Sequence, residues 1–410
     1  MAGVSDKARF YLERAAPELR EFEDKEIFSK DEIRSLVTKR SDHEHTILSP
    51  GAKPSDFLAY VAWERSLDRL RTKRCARLRI HQSTSRASHA RTFSIFERAV
   101  LKHPGSLQLW TAYLDFAARE AKASKRWRRI VTRAIRLHPA DAGLWALAGK
   151  RAARDGDMER ARAHFLRGCR FCTGEPTLWV EYARCEMEWL GRVEAKKAGK
   201  GVRRGVAVMD AIQATEGGEQ EGDYIEVGGE EDEDSDEDIV LPDPDAGGVK
   251  AKVAVFDAEA TRKLEQSPAL GGAIPMAIFD FARKQPFFGP AAAEEFFNLF
   301  AGFTGVSSHA KIVQHVLAAM EEAYSNHPAT GSCQVRQPLV GVEVNTAEFP
   351  RALRESLGRL RAAMDKTEDK EALAEKMVVW LDTLLRVGGL DEGIRTVLEA
   401  TKRSMEELSN

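Results

Sequence analysis

The sequence repeats itself every 34–35 residues. Trp110, Trp145 and Trp179 stand 35 and 34 residues apart. Pro104 and Pro139 are 35 apart, each preceded by histidine. The pairs Arg98-Ala99, Arg133-Ala134 and Arg167-Gly168 keep the same steps. Independent markers at one period define a structural repeat. A unit of this length holds two helices of roughly 12–14 residues and two turns, near the usual helix length. In residues 107–120, Leu109, Trp110, Tyr113, Leu114 and Ala117 form a single apolar stripe at helical spacing, and Ile130, Ala134 and Leu137 do so in residues 128–139. Pro104, Pro139 and Pro328 read as helix terminators, because proline cannot continue a helix and restricts the residue before it. One such hairpin cannot bury its apolar face alone. Stacked hairpins bury a continuous core, so the expected fold is all-α, an α-solenoid.

The expected repeat core is Trp110, Tyr113, Phe116, Trp145, Trp179 and Tyr182, with Phe57, Tyr60 and Trp63 taking the equivalent places in a divergent earlier unit. Exposed tryptophans would be platforms for stacked bases. Their place in the helical stripe assigns them to the interior instead.

The pattern also divides the chain. Residues 1–56 read as an N-terminal helical module containing a Ser29-x-x-Glu32 capping box. Repeats occupy 57–190. Periodicity breaks near Gly191, and 191–270 reads as a Gly-rich and acidic linker. Within it, about 205–250 is expected to be disordered, since a dense block of one charge offers little to bury. Further repeat-like helices occupy 271–328, a loop 329–349, and C-terminal hairpins 350–410, with a break at Gly388-Gly389.

The net charge of −2 conceals a strong asymmetry. Residues 216–245 hold fifteen acids and no base, whereas 69–91 hold eight Lys/Arg and 122–136 hold seven, both without an acid. Solvated helix faces usually mix signs. Arg69, Arg71, Lys73, Arg74, Arg77, Arg79, Lys125, Arg126, Arg128 and Arg129 are therefore candidate contacts for a polyanion, whether RNA phosphates or an acidic protein tail. Ser235, inside the acidic block, is a candidate site for an acidophilic kinase of the casein kinase class.

Other classes of function find little purchase. No apolar run approaches the roughly 18 residues of a membrane helix, and the first residues lack an apolar signal-peptide core. The five cysteines are scattered, which favours a reducing compartment. Cys169-x-x-Cys172 has no second Cys or His pair to complete a zinc site. His103, His138 and His327 precede prolines and read as helix-end residues. Gly199-Lys200-Gly201 lacks P-loop spacing, and no hydrolase, metalloprotease or kinase signature appears. A non-enzymatic protein without cofactor is expected.

The units resemble the HAT (half-a-TPR) repeat, with Trp110, Tyr113 and Phe116 in the first helix and Arg133, Ala134 and Pro139 in the second. Residues 27–48 and 53–74 resemble the family of U3 small nucleolar RNA-associated protein 6. In that family a lysine-arginine pair precedes an aromatic residue and Glu-His; here the order is Lys39-Arg40, then His43-Glu44-His45, so a histidine replaces the aromatic. The resemblance implies a scaffold subunit of the small-subunit processome, acting through protein–protein contacts in pre-rRNA processing to 18S rRNA. It implies WD40 propeller proteins, the U3 small nucleolar ribonucleoprotein and pre-rRNA as partners, no membrane, and a nucleolar location. Two alternatives stay open: a HAT scaffold of pre-mRNA splicing or 3′-end processing, and a direct RNA-binding protein using its basic segments.

Overall fold

The computed structural model describes residues 3–80, 85–199 and 271–409. These residues are helical throughout their ordered elements, with no strand among them. They fall into two compact units divided between His138 and Pro139. The acidic block, the reading of 205–250 as disordered, and Ser235 lie outside the described residues.

The first unit contains α1 (Val4–Glu13), α2 (Ala16–Asp24), α3 (Lys30–Leu48), α4 (Pro54–Leu78), α5 (Arg86–Lys102), α6 (Leu107–Asp115) and α7 (Ser124–Leu137). Ser29 starts α3 through a reciprocal cap. Its Oγ accepts from the Glu32 N–H at 3.3 Å, and the Glu32 carboxylate accepts from the Ser29 N–H at 2.9 Å. α6 runs on into a π-helical turn, Phe116–Glu120, a local widening of the kind that often reorients a helix end.

Polar groups fasten the helices of this unit by a rule that itself repeats. Glu44 on α3 accepts from the Tyr60 hydroxyl on α4 at 3.1 Å and from both Arg98 nitrogens on α5 at 2.7 and 3.0 Å. One unit later, Glu97 on α5 accepts from Tyr113 on α6 at 2.7 Å and from Arg133 on α7 at 2.8 and 3.0 Å. Glu97 and Arg98 are neighbours, yet each serves a different junction. Two of the recurring arginines, Arg98 and Arg133, are thus clamps on the helix behind them. A deeper network joins α2–α5: Arg40 is buried against Glu18 and Glu64, and Arg91 pairs with the same two carboxylates.

Phe57 and Tyr60 are buried with Trp110, Tyr113 and Phe116. Two residues of the predicted stripes are placed differently. Trp63 is only half-buried, because Glu64 takes the inward position beside it and pairs with Arg40. His43 stacks on Tyr60 at 4.9 Å between ring centres and lies against Trp63, so the histidine keeps the packing role of an aromatic ring. Leu137 is exposed at the last turn of α7.

The second unit contains α8 (Ala142–Arg154), α9 (Met158–Phe171), α10 (Pro176–Gly199), α11 (Ala273–Ala282), α12 (Pro290–Ala301), α13 (His309–Tyr324), α14 (Pro328–Arg336), α15 (Phe349–Lys366), α16 (Lys370–Leu385) and α17 (Glu392–Ser409). Close packing of α8 and α9 depends on glycine: a Cβ on Gly149 would lie 2.4 Å from the Phe165 ring, and one on Gly168 2.7 Å from Trp145. Phe165 in turn stacks on Tyr182 with ring centres 5.0 Å apart.

Three sequence expectations are corrected here. α10 passes through Gly191 and ends at Gly199, so the helix outlasts the repeat pattern. The expected loop 329–349 begins with α14, followed by a 3-10 turn at Gln337–Leu339. Pro328 consequently opens a helix. It sits at the first position, where its missing N–H costs nothing, while His327 Nδ1 accepts from the Ala329 N–H at 3.1 Å as the N-cap.

Candidate nucleic-acid interface

Each candidate cation takes its role from the helix face it occupies. On α4, Arg71 is buried; it donates to Asp68 at 3.0 Å and to the Ser85 hydroxyl at 2.6 Å. Arg74 donates to both Glu32 oxygens at 2.8 and 2.7 Å and lies 4.6 Å from the Phe28 ring centre. The Arg74 hydrogen bond, then the Ser29 N–H, hold the Glu32 carboxyl down at about 2. Arg71 and Arg74 are therefore structural, which removes both from the polyanion set. Arg69 donates to Glu120 at 3.0 Å, and Arg65 reaches the same carboxylate through Nε at 2.9 Å. Burial works against the Glu120 anion, but Arg65 and then Arg69 outweigh it and hold its carboxyl below the ordinary range.

Lys73, Arg77 and Arg79 remain exposed and form no ion pair among the described residues. On α7 the division is sharper. Trp127, Ile130, Val131, Ala134 and Ile135 are buried; Lys125, Arg129 and Arg136 line the opposite face and form no ion pair among the described residues. Arg126 is exposed, with its guanidinium 4.3 Å from the Phe93 ring centre. Arg128 is exposed.

The repeat tryptophans are not available to bases. Trp110 is buried and donates its indole N–H to the Pro104 carbonyl at 2.9 Å; Trp145, also buried, donates to Pro139 at 2.8 Å. Trp179 and Tyr182 are buried as well, but Trp179 Nε1 has no hydrogen-bond partner among the described residues. The histidines use their rings: His103 Nε2 donates to the Ala52 carbonyl at 2.9 Å and His138 Nε2 to the Pro104 carbonyl at 3.0 Å. Cys172 fills the equivalent place 34 residues on, with Sγ 3.7 Å from the Pro139 carbonyl. Burial pushes the neighbouring Cys169 thiol up to about 12. No group of three or more His, Cys, Asp or Glu placed to hold a metal occurs among the described residues, and none of their helices is long and apolar enough to cross a membrane.

Lys122 and Arg136 belong to the basic run 122–136 but not to the named candidates, and the structure exposes both. The i, i+4 and i+11 spacing of Lys125, Arg129 and Arg136, one helix face, places the latter there. Lys122 joins through the bend after α6, where its φ of 49° is left-handed and no periodicity announces it.

These features describe a protein that is all-helical among its described residues, with clamps facing inward and unpaired cations exposed on α4 and α7. Residues 12–98 match the family model described as U3 small nucleolar RNA-associated protein 6. The protein of that name from Schizosaccharomyces pombe is 30% identical over 197 residues, 47% of this chain and 40% of the relative. The Homo sapiens homologue is 30% identical over 190 residues, 45% of this chain and 32% of the relative. The chain thus spans less than half the length of these relatives. The matched region contains both the Arg40–Glu18–Glu64–Arg91 network and the Glu44 clamp, so the resemblance seen at 27–74 falls on a densely paired part of the first unit.

Proposed function

We propose that the chain acts as a scaffold subunit in the U3 small nucleolar ribonucleoprotein setting, supporting pre-rRNA processing to 18S rRNA and small ribosomal subunit assembly. In this reading it is a HAT-repeat, TPR-like protein whose hairpins stack as an α-solenoid. It works in the nucleolus by holding other macromolecules, with WD40 propeller proteins of the processome among its direct contacts. The observation that carries the reading is the match of residues 12–98, supported by 30% identity to relatives bearing the U3 name. The Tyr–Glu–Arg clamp that recurs in successive hairpins supports the HAT assignment.

Affinity purification of the tagged full chain from nuclear extract tests this reading. U3 small nucleolar RNA and propeller proteins should co-elute. Enrichment of spliceosomal RNAs or 3′-end processing factors without U3 would replace it with the other scaffold reading.

A further inference from the structure

The two basic runs are separate in sequence but adjoin in the fold. Arg69, in the first run, donates to Glu120 at 3.0 Å, and Glu120 closes the π-helical turn leading into the second run. Lys122 and Lys125 follow within five residues. We propose that the strip running from Arg77 and Lys73 on α4, past the Arg69–Glu120 junction, to Lys122, Lys125 and Arg129 on α7 binds the phosphate backbone of RNA.

Four observations point to phosphate. The carboxylate within the strip, Glu120, is already held by two guanidiniums, Arg65 and Arg69. Asp68 beside it faces Arg71 at 3.0 Å. The outward cations therefore present a local positive field without an internal counter-charge. Their spacing is regular: Lys73 and Arg77 on α4, and Lys125 and Arg129 on α7, stand four residues apart. That is about 6 Å of helix rise, commensurate with successive phosphates on one strand.

The aromatic rings nearest the strip are turned inward. Trp127, Phe93 and Phe116 are buried, and Arg126 covers Phe93. Without exposed rings the surface contacts the backbone and positions RNA without reading its bases. An acidic protein would need a central apolar anchor to bind well. The outer ridge of α7 instead carries Lys125, Arg129, Thr132 and Arg136.

The inference stands apart from the assembly reading, because the purified chain suffices to test it. The experiment measures fluorescence anisotropy of a labelled oligouridylate of about 20 nucleotides with the full chain across a salt series. Three proteins are compared: wild type; the strip variant Lys73→Glu/Arg77→Glu/Lys125→Glu/Arg129→Glu; and a control, Lys311→Glu/Lys370→Glu/Arg395→Glu/Arg403→Glu, with the same change in net charge on exposed positions elsewhere. The strip variant should bind at least tenfold more weakly, and the control within about threefold of wild type. Each phosphate contact removed from a single strand lowers the log–log salt slope by about 0.7. The milder four-site Gln variant should therefore lower it by nearly 3, and it replaces the Glu variant should that protein fail to fold by circular dichroism. Equal losses in strip and control variants would overturn the proposal, as would an absence of wild-type binding. Unchanged RNA affinity with lost affinity for a polyglutamate peptide would assign the strip to an acidic protein.

Discussion

The indole N–H of Trp145 lies 2.8 Å from the carbonyl oxygen of Pro139, six residues earlier, and Trp110 repeats the bond to Pro104 at 2.9 Å. Two markers that the sequence shows separately, a proline and a tryptophan, are therefore halves of one device. Proline ends a helix, and its carbonyl, left over by that ending, receives the tryptophan of the next. In the first unit the Pro104 carbonyl also accepts from His138 Nε2 at 3.0 Å, which explains why histidine precedes proline at the same period.

This device predicts a graded response at Trp145. Trp145→Ala removes a buried ring and should cost about 3–5 kcal/mol. Trp145→Phe keeps a ring but loses the hydrogen bond, leaving the Pro139 carbonyl poorly satisfied, and should cost about 1–3 kcal/mol. Urea melts of both variants measure the difference. Equal stabilities of Trp145→Phe and wild type would show that the bond to Pro139 contributes nothing.

Glu64 gives a sharper case. It is buried, accepts from Arg40 at 2.8 and 3.1 Å, and accepts from Arg91 at 3.2 Å. Removing one member of a buried charge network leaves the others uncompensated, at about 3–5 kcal/mol. Glu64→Ala should therefore fold at best marginally, while Trp63→Ala beside it, truncating a half-buried ring, should be better tolerated. The comparison is made by thermal unfolding followed by circular dichroism. Comparable losses from the two would contradict the network's role.

The period, the helical class and the buried repeat aromatics were legible because each rests on local spacing. The fate of the basic residues was not. Arg74 and Glu32 are 42 residues apart, and Arg69 and Glu120 are 51 apart. Counting acids within a run finds no partner for these arginines, although the fold supplies one from another helix. The same limit explains Trp63, since Glu64 turns inward only because α3 brings Arg40 to it. His-Pro was ambiguous for a different reason. After α5 and α7 it follows a helix end, whereas at His327-Pro328 the same pair caps and starts α14. Proline at a first helical position and proline just past a last one look alike in sequence.

Glu32 predicts a pH dependence with a definite sign. Its folded carboxyl is held at about 2, lowered by the Arg74 hydrogen bond and the Ser29 N–H. A depressed carboxyl contributes stability above its unfolded value and loses it as pH falls toward the folded one. The stability gap between wild type and Glu32→Gln should thus stay constant from neutral pH to about pH 5 and close as pH falls toward about 2. The pair is partly exposed, so solvent screening keeps the gap near 1 kcal/mol or less. Guanidinium melts across acid pH measure it, and a gap that widens on acidification would refute the assignment.

The cysteines supply a chemical readout of both units. All five are buried. Burial pushes the Cys169, Cys185 and Cys333 thiols up to about 12, and thiolate is the reactive form. Native protein at pH 8 should therefore react slowly with a thiol reagent such as dithiobisnitrobenzoate, whereas the urea-unfolded chain should release the full five equivalents rapidly. Mass spectrometry of partly labelled protein then orders the sites. Cys172 should lead the group in the second unit because it sits at the C-cap of α9, whereas Cys169, Cys185 and Cys333 lie inside helices; its thiol too is raised above its ordinary value, by burial and then by Glu175 and Asp141. Trp145→Ala should accelerate labelling of Cys172 above all, because both side chains converge on the Pro139 carbonyl. Uniform acceleration of all five cysteines in that variant would instead report global unfolding and remove the local link between Trp145 and Cys172.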